Sequence, residues 1–413
     1  CDVPAHLYTY QFEHNPDYSN RFAYGAEIQE YFERVARKYG VTEKVLFNEA
    51  VVDARYKRGK WTVKTSKNTT LVVDFVVCAT GPLHHPVKPQ FEGMQEFKGS
   101  VFHTAEWDHS IDLEGKRVGI IGTGSTSVQV VSELQSTVSR LTVFQRTPQW
   151  VLHTPNRAFT EKEKEKCRKN PFRIPMAKLV YSTIFEQLFS KGVTGKKIPH
   201  AIMSFLCKSN LKRQVKDPVL RRKLTPDYKV GCKRLVMSGT FYKAVQQPNV
   251  DLVTDGIKRF TENGIVTADG KTHELDVVVL STGFDPAAFM RPMNLVGKSG
   301  ADIDTHWKKK VQAYRSMFLA DYPNFFLMLG PNTPIGNFNV IQMSEVQADY
   351  LVKLIDHWRN GDFDEIGVTP EIIKNFNQYL KDGMGKTVWV SGCSSWYLDS
   401  DGDPLTLSLI HIS

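Results

Sequence analysis

Apolar residues at Ala26, Ile28, Tyr31, Phe32, Val35 and Ala36 recur at helical spacing and predict a helix over 26–40. Short β-rich runs follow at Val45-Leu46-Phe47, Ala50-Val51-Val52 and Trp61-Thr62-Val63, separated by turn residues, and predict strands. From Leu71 to Gly81 the chain is almost continuously apolar and ends in Thr80-Gly81, the pattern of a parallel strand buried on both faces. A second such run, Leu275 to Gly283, also ends in Thr-Gly. Between them, Lys116–Ile121 predicts a strand that enters a Gly-rich turn, Gly122-Thr123-Gly124. Val128, Val130, Val131 and Leu134 then mark a helix face, and Leu141–Phe144 the next strand, completing one βαβ unit. Residues 160–225 mix Lys and Arg with Leu, Ile, Phe and Met at helical intervals and predict a helical insertion, after which strands resume at Val250–Val253.

The 413 residues suit two or three domains, and 41% hydrophobic with 23% charged side chains is ordinary globular composition. The net charge of +9 is spread among acidic residues. It points to a phosphate-bearing cofactor or an anionic membrane surface rather than to nucleic acid. No apolar run has the length of a spanning helix. The six cysteines form no C-x-x-C pair, which leaves zinc-ribbon and dithiol-redox sites without support and predicts reduced thiols in a cytoplasmic protein. No metal site is expected. The start at Cys1 and the apolar tail over 405–413 have the texture of a sequence cut at both ends.

The Gly-rich turn carries the clearest chemistry. Gly122 would permit a tight turn, and Gly124, lacking Cβ, would let the backbone approach a pyrophosphate. Ser125 and Thr126 would open a helix whose free N–H groups face that anion, and Ser127 stands where close helix–strand packing needs a small residue. A Gly-x-Gly-x-x-Ser alone also suits a purely structural turn, but here it lies between a strand and a helix, as the motif requires. At the end of the next strand stands Gln145-Arg146-Thr147 in place of an acid. Arg146 with Thr147 suits the 2′-phosphate of NADP, the alternative being a solvated Arg at a strand end.

Upstream lies Phe97-Lys-Gly99-Ser-Val-Phe-His103-Thr-Ala-Glu-Trp107-Asp108. This segment matches every fixed position of the fingerprint of type I Baeyer–Villiger monooxygenases (the cyclohexanone and hydroxyacetophenone monooxygenase-like branch of the flavin-containing monooxygenase superfamily). It sits just before the second nucleotide-binding Gly motif, as it does in that family. Cys1-Asp2-Val3-Pro4, Gly231-Cys232-Lys233-Arg234, Gly330-Pro331-Asn332 and Ser395-Trp396-Tyr397 also resemble family segments in order and spacing.

The resemblance implies an α/β fold of two Rossmann-like dinucleotide-binding domains with a helical insertion, FAD and NADP as cofactors, and conversion of a ketone with O2 to an ester or lactone. It implies Arg234 as a catalytic cation, Asp2 as its partner near the flavin, Lys233 on the NADP phosphate, Trp396 in a cover over the nicotinamide, and Tyr8 and Val51 as flavin contacts. The implied layout is a flavin domain from 1–96 with 276–413, its first βαβ unit absent, an NADP domain from 97–154 with 226–275, and the insertion at 155–225. Without the family's first Gly motif, the chain is expected to lack the main flavin cradle and to be inactive as it stands. Asp2 and Arg234 could instead be solvated side chains, and the insertion a solvated cover or a membrane-surface contact. An N- or S-oxygenating flavin monooxygenase and a non-catalytic NADP-binding fragment stay open as alternatives, as does the oligomeric state.

Overall fold

The computed structural model describes residues 2–333, 339–395, 397–399, 401–403 and 405. The first helix, α1 (Gly25–Lys38), buries Tyr31 and Val35 against Tyr18 and Ala23. Val45–Phe47 is not a strand. A 3-10 turn at Thr42–Lys44 precedes it, Asn48 adopts φ 55°, and Leu46 and Phe47 are exposed, with no neighbouring strand to pair them. β1 (Val51–Lys57), β2 (Lys60–Thr65) and β3 (Thr70–Val73) form an antiparallel meander. Its buried side alternates as the pleat demands: Ala54 and Tyr56 on β1, Trp61 and Val63 on β2. The apolar run from Leu71 does not continue as one buried strand. It breaks at Asp74, which pairs with Lys60, and β4 (Val76–Cys78) joins another sheet, leaving Leu71, Val72 and Val77 exposed.

The strands β5 (Ser100–His103), β6 (Arg117–Ile121), β7 (Arg140–Phe144), β8 (Val250–Val253) and β9 (Val277–Leu280) make one parallel sheet in the order β8-β7-β6-β9-β5. The helix α2 (Ser125–Leu134) crosses over between β6 and β7. Val118, Ile120, Leu141, Val143, Val278 and Val279 are fully buried, as covering both faces of a parallel sheet requires. The chain winds outward from β6 to β7 and β8, then returns on the other side as β9. The order therefore reverses between β6 and β9, and α/β sheets bind ligands at the carboxyl ends of such a pair. The expected domain boundary at 276 falls one strand too early, because Val277–Leu280 hydrogen-bonds between β6 and β5 and belongs to this sheet.

The insertion consists of α3 (Glu161–Lys169), α4 (Arg173–Ile184) running through a π turn (Phe185–Ser190), α5 (Lys197–Gln214) and α6 (Pro218–Lys223). Beyond β9, β10 (Asn294–Val296) pairs with β1, and β11 (Phe325–Leu327) pairs with β4. The helices α7 (Val340–Arg359) and α8 (Pro370–Met384) follow. The two segments that pass between the sheets, after β4 and after β9, are tied together. Val87 N–H donates to the Gly283 carbonyl at 2.9 Å, and Thr282 Oγ1 donates to the Val87 carbonyl.

Cys232 and Cys393, expected as free thiols, are joined in a disulfide with Cα atoms 6.3 Å apart, while Cys78, Cys167 and Cys207 are free. A separation of 161 residues left no spacing signal from which the pair could be read.

Burial holds His6, His14, His103, His153 and His273 below the ordinary value of about 6.5. The unfolded chain therefore takes up protons on these groups before the folded chain does. Their contribution to stability is fully present above about pH 6.5 and is lost as pH falls through their lowered folded values. Urea unfolding should show a lower midpoint at pH 5.5 than at pH 7.5, a window in which paired carboxylates such as Asp276, held low by Arg117, stay ionised. Equal midpoints would contradict this.

Candidate active site

The turn after β6 is built around one glycine that nothing else could replace. Gly122 has φ 115°, and a Cβ there would stand 2.3 Å from the Ser281 carbonyl at the end of β9. Gly124 differs: a Cβ would meet nothing within 4 Å, so the backbone there faces open space. Gly124 caps α2 without any side-chain hydrogen bond, which leaves the first N–H groups of a ten-residue helix directed at that space. Two expected contacts are occupied internally. Thr123 Oγ1 donates to the Thr147 carbonyl at 2.6 Å, and Ser127 Oγ donates to the Gly122 carbonyl at 2.7 Å. They brace the turn, while Ser125 is half-buried and Thr126 exposed.

Arg146 is exposed at the end of β7. Burial, then the nearby charge of Arg146, lowers the Lys233 ammonium from its ordinary value. Two cations that disfavour each other could both be relieved by an anion such as a phosphate. The loop that presents Lys233 is braced on several sides. Trp150 Nε1 donates to the Tyr228 carbonyl at 2.9 Å, and Tyr228 Oη donates to the Pro148 carbonyl at 2.9 Å. Lys233 Nζ lies 5.1 Å from the centre of the Tyr228 ring. Gly231 has φ 86°, and a Cβ there would press against Val193. The disulfide fixes Cys232 to the segment just before Tyr397.

The next residue, Arg234, lines a cleft of about 840 Å³ including its open mouth, together with Asp2, Lys233, Tyr397, Phe185 and Phe189. Its guanidinium donates to Asp2 Oδ2 at 3.0 Å. Burial acts to lower the Arg234 pKa, but Asp2, Tyr397 and Tyr8 outweigh it and hold the guanidinium above its ordinary value. Burial also pushes the Tyr397 phenol up to about 12, with Arg234 opposing. Burial and the Asp2 charge raise Tyr8. At neutral pH the cleft thus holds a permanent cation beside neutral phenols. Sequence reasoning placed Arg234, Asp2 and Lys233 here. It missed the apolar wall from Phe185 and Phe189, since helical periodicity does not say which face meets a cleft, and it did not single out Tyr397.

Val51 stands exposed at the start of β1 and does not line this cleft. Trp396 lies outside the described residues. The four fingerprint residues act through packing. Phe97 is buried edge-on to Phe260 at 6.0 Å, and Trp107 lies edge-on to Phe102 at 5.1 Å. A Cβ on Gly99 would stand 2.3 Å from the Asp276 carbonyl. His103 is buried at the end of β5, where Nδ1 accepts the Ala105 N–H at 3.1 Å, and its ring packs edge-on to Phe284 in the segment crossing between the sheets.

Residues 7–362 match the family model described as flavin-binding monooxygenase-like. An uncharacterized monooxygenase of Mycobacterium tuberculosis is 44% identical over 404 residues, covering 98% of this chain and 81% of that protein. A Baeyer–Villiger monooxygenase of Streptomyces coelicolor is 37% identical over 414 residues, covering 98% of this chain and 79% of its own. Cyclohexanone monooxygenase from Rhodococcus sp. Phi1, solved bound to NADP+, superposes with a TM-score of 0.85 at 27% identity, over 98% of this chain and 85% of that one.

Proposed function

The chain belongs to the flavin-binding monooxygenase-like family and is an NADPH-dependent flavin monooxygenase of the Baeyer–Villiger type, and we propose from this premise which residues carry its reaction on a ketone. The ketone becomes an ester or lactone. FAD and NADP are its cofactors. The turn at Gly122 and Gly124 fits a pyrophosphate, because open space meets the free end of α2 there. Arg146 and Lys233, with Thr147 beside them, hold the 2′-phosphate of NADP. Gly81 and Gly283, with φ 70° and 82° and open space where a Cβ would stand, let two backbones approach FAD between the sheets, with Tyr8 and Val51 as further contacts. FAD, when bound, would supply the oxygen-activating chemistry.

Arg234 is the catalytic cation. It offers fixed donors to the negative charge that builds on the substrate oxygen when the carbonyl carbon is attacked. Asp2 is a positioning residue that holds the guanidinium in place. Phe185 and Phe189 exclude water, which strengthens that electrostatic stabilisation. The fingerprint residues support the junction of the two halves through packing, as where His103 meets Phe284. The flavin half comprises 1–96 and 281–413, and the NADP half 97–154 and 226–280, with the insertion at 155–225. Among the described residues no helix is long and apolar enough to cross a membrane. The use of NADPH supports a reaction in the cytoplasm, against the Cys232–Cys393 disulfide, which by itself suits an oxidising compartment. The observation that carries this reading is the Arg234–Asp2 pair in an apolar-walled cleft, one residue from Lys233. Incubation of the full-length enzyme, loaded with FAD, with a cyclic ketone and with a thioether tests it. Lactone is the expected product, and sulfoxide alone would favour heteroatom oxygenation.

Arg146→Ala is expected to weaken NADPH binding by roughly ten- to a hundredfold, because a charge-assisted hydrogen bond contributes about 1.5–3 kcal/mol. NADH binding should hardly change. Titration with both nucleotides checks this, and equal losses would assign Arg146 to the fold.

A further inference from the structure

The insertion leaves two apolar stripes uncovered. On α4 and the residue before it, Phe172, Met176, Leu179, Val180 and Ile184 recur on one face at helical spacing, and all are exposed. On α5, Ile198, Ile202, Phe205 and Leu206 do the same, with Ile198 at 74% and Phe205 at 70% exposure. The opposite faces account for the fold. Met203, Cys207 and Leu211 of α5 are buried in the core beside the parallel sheet, and Phe185 and Phe189, continuing α4, line the cleft. Neither stripe is needed for packing within the described residues.

The charge around the stripes identifies what covers them. Residues 160–225 hold 17 lysines and arginines against five aspartates and glutamates, a net +12 where the whole chain carries +9. Arg173, Lys196, Lys197, Lys208 and Lys212, at the ends of α4 and along α5, are exposed and have no carboxylate partner among the described residues. An apolar stripe bordered by unpaired cations suits an anionic bilayer surface: the apolar side chains enter the acyl boundary and the cations meet the headgroups. A second copy suits it poorly, since a two-fold interface would set two such positive faces against each other. We propose that α4 and α5 dock this protein on anionic phospholipid bilayers. On the far side of α4 its continuation walls the cleft, so docking brings an apolar, lipid-partitioned ketone close to the site. The docking itself does not depend on the catalytic reading.

Vesicle flotation of the purified protein tests this. Vesicles of phosphatidylcholine with about one-third phosphatidylglycerol should carry the protein up the gradient. Pure phosphatidylcholine, or the anionic vesicles in 1 M salt as the probe condition, should carry about tenfold less. Leu179→Ser with Phe205→Ser should cut flotation about tenfold by removing the apolar contact, and Lys197→Glu with Lys208→Glu about tenfold by removing the charge. Unchanged circular dichroism and thermal melting in both variants would establish that they fold. Equal flotation on neutral and anionic vesicles would overturn the proposal. So would no flotation of the wild type, whether it sediments as a dimer that covers the stripes or as a monomer. If either folded variant floats like the wild type, the proposal also fails.

Discussion

In the full-length enzyme loaded with FAD, Arg234→Ala is expected to lower ester formation from a ketone by at least about a hundredfold, since removing one preorganised donor to a developing oxyanion typically costs about 10²–10³ in kcat. The guanidinium is held for this task. It donates to Asp2 at 3.0 Å, and the Asp2 charge raises its pKa against the opposing effect of burial. The loss should fall on oxygen insertion and not on folding. The Arg234 side chain is 32% exposed, and its removal empties part of a cleft instead of opening a hole in the core. The melting temperature should therefore stay near that of the wild type, and NADPH that is still consumed should appear as hydrogen peroxide. Arg234→Lys should restore little, because an ammonium is a point charge and lacks the planar fork of donors. Asp2→Asn should have a smaller effect, since the guanidinium remains but is less firmly placed. Product analysis with peroxide measurement separates these outcomes. Ester formation near the wild-type rate in Arg234→Ala would remove Arg234 from the reaction.

Gly122→Ala should damage the nucleotide turn far more than Gly124→Ala, although the two glycines are only two positions apart. At Gly122 the added Cβ meets the Ser281 carbonyl at 2.3 Å, and φ 115° is a backbone conformation that alanine rarely adopts. Backbone strain of this kind costs about 1–3 kcal/mol before the clash is counted. Relieving the clash means separating the ends of β6 and β9 at the switch point. Gly122→Ala should therefore lower the melting temperature by several degrees and reduce NADPH affinity by a hundredfold or more, as order-of-magnitude expectations. Gly124→Ala should melt normally, because its Cβ enters open space and φ is −70°. It should still weaken NADPH roughly tenfold, because that space is where the pyrophosphate approaches the backbone. Paired thermal melts and NADPH titrations check both. If Gly124→Ala bound NADPH as the wild type does, the cradle would have to lie elsewhere.

Local pattern determined a good deal of this protein. Strands that run apolar on both faces, such as Val118–Ile121 and Val277–Leu280, suit the centre of a parallel sheet. A Gly-rich turn between such a strand and a helix can be read without long-range information. The fingerprint from Phe97 to Trp107 and the Lys233-Arg234 pair were equally visible as short runs of residue types. Tertiary structure decided what depends on partners distant in the chain. The apolar run after Leu71 became two strands in two sheets because β2 pairs with its first half and β11 with its second, and periodicity cannot see a partner about 250 residues away. Val277–Leu280 went to the sheet of β6 because of its neighbours, although its composition would suit either half. Only folding brought Cys232 to Cys393 and Asp2 to Arg234, and only folding turned one face of α4 towards solvent while its continuation walls the cleft. Helical spacing marks which residues share a face, but what that face meets depends on the rest of the chain.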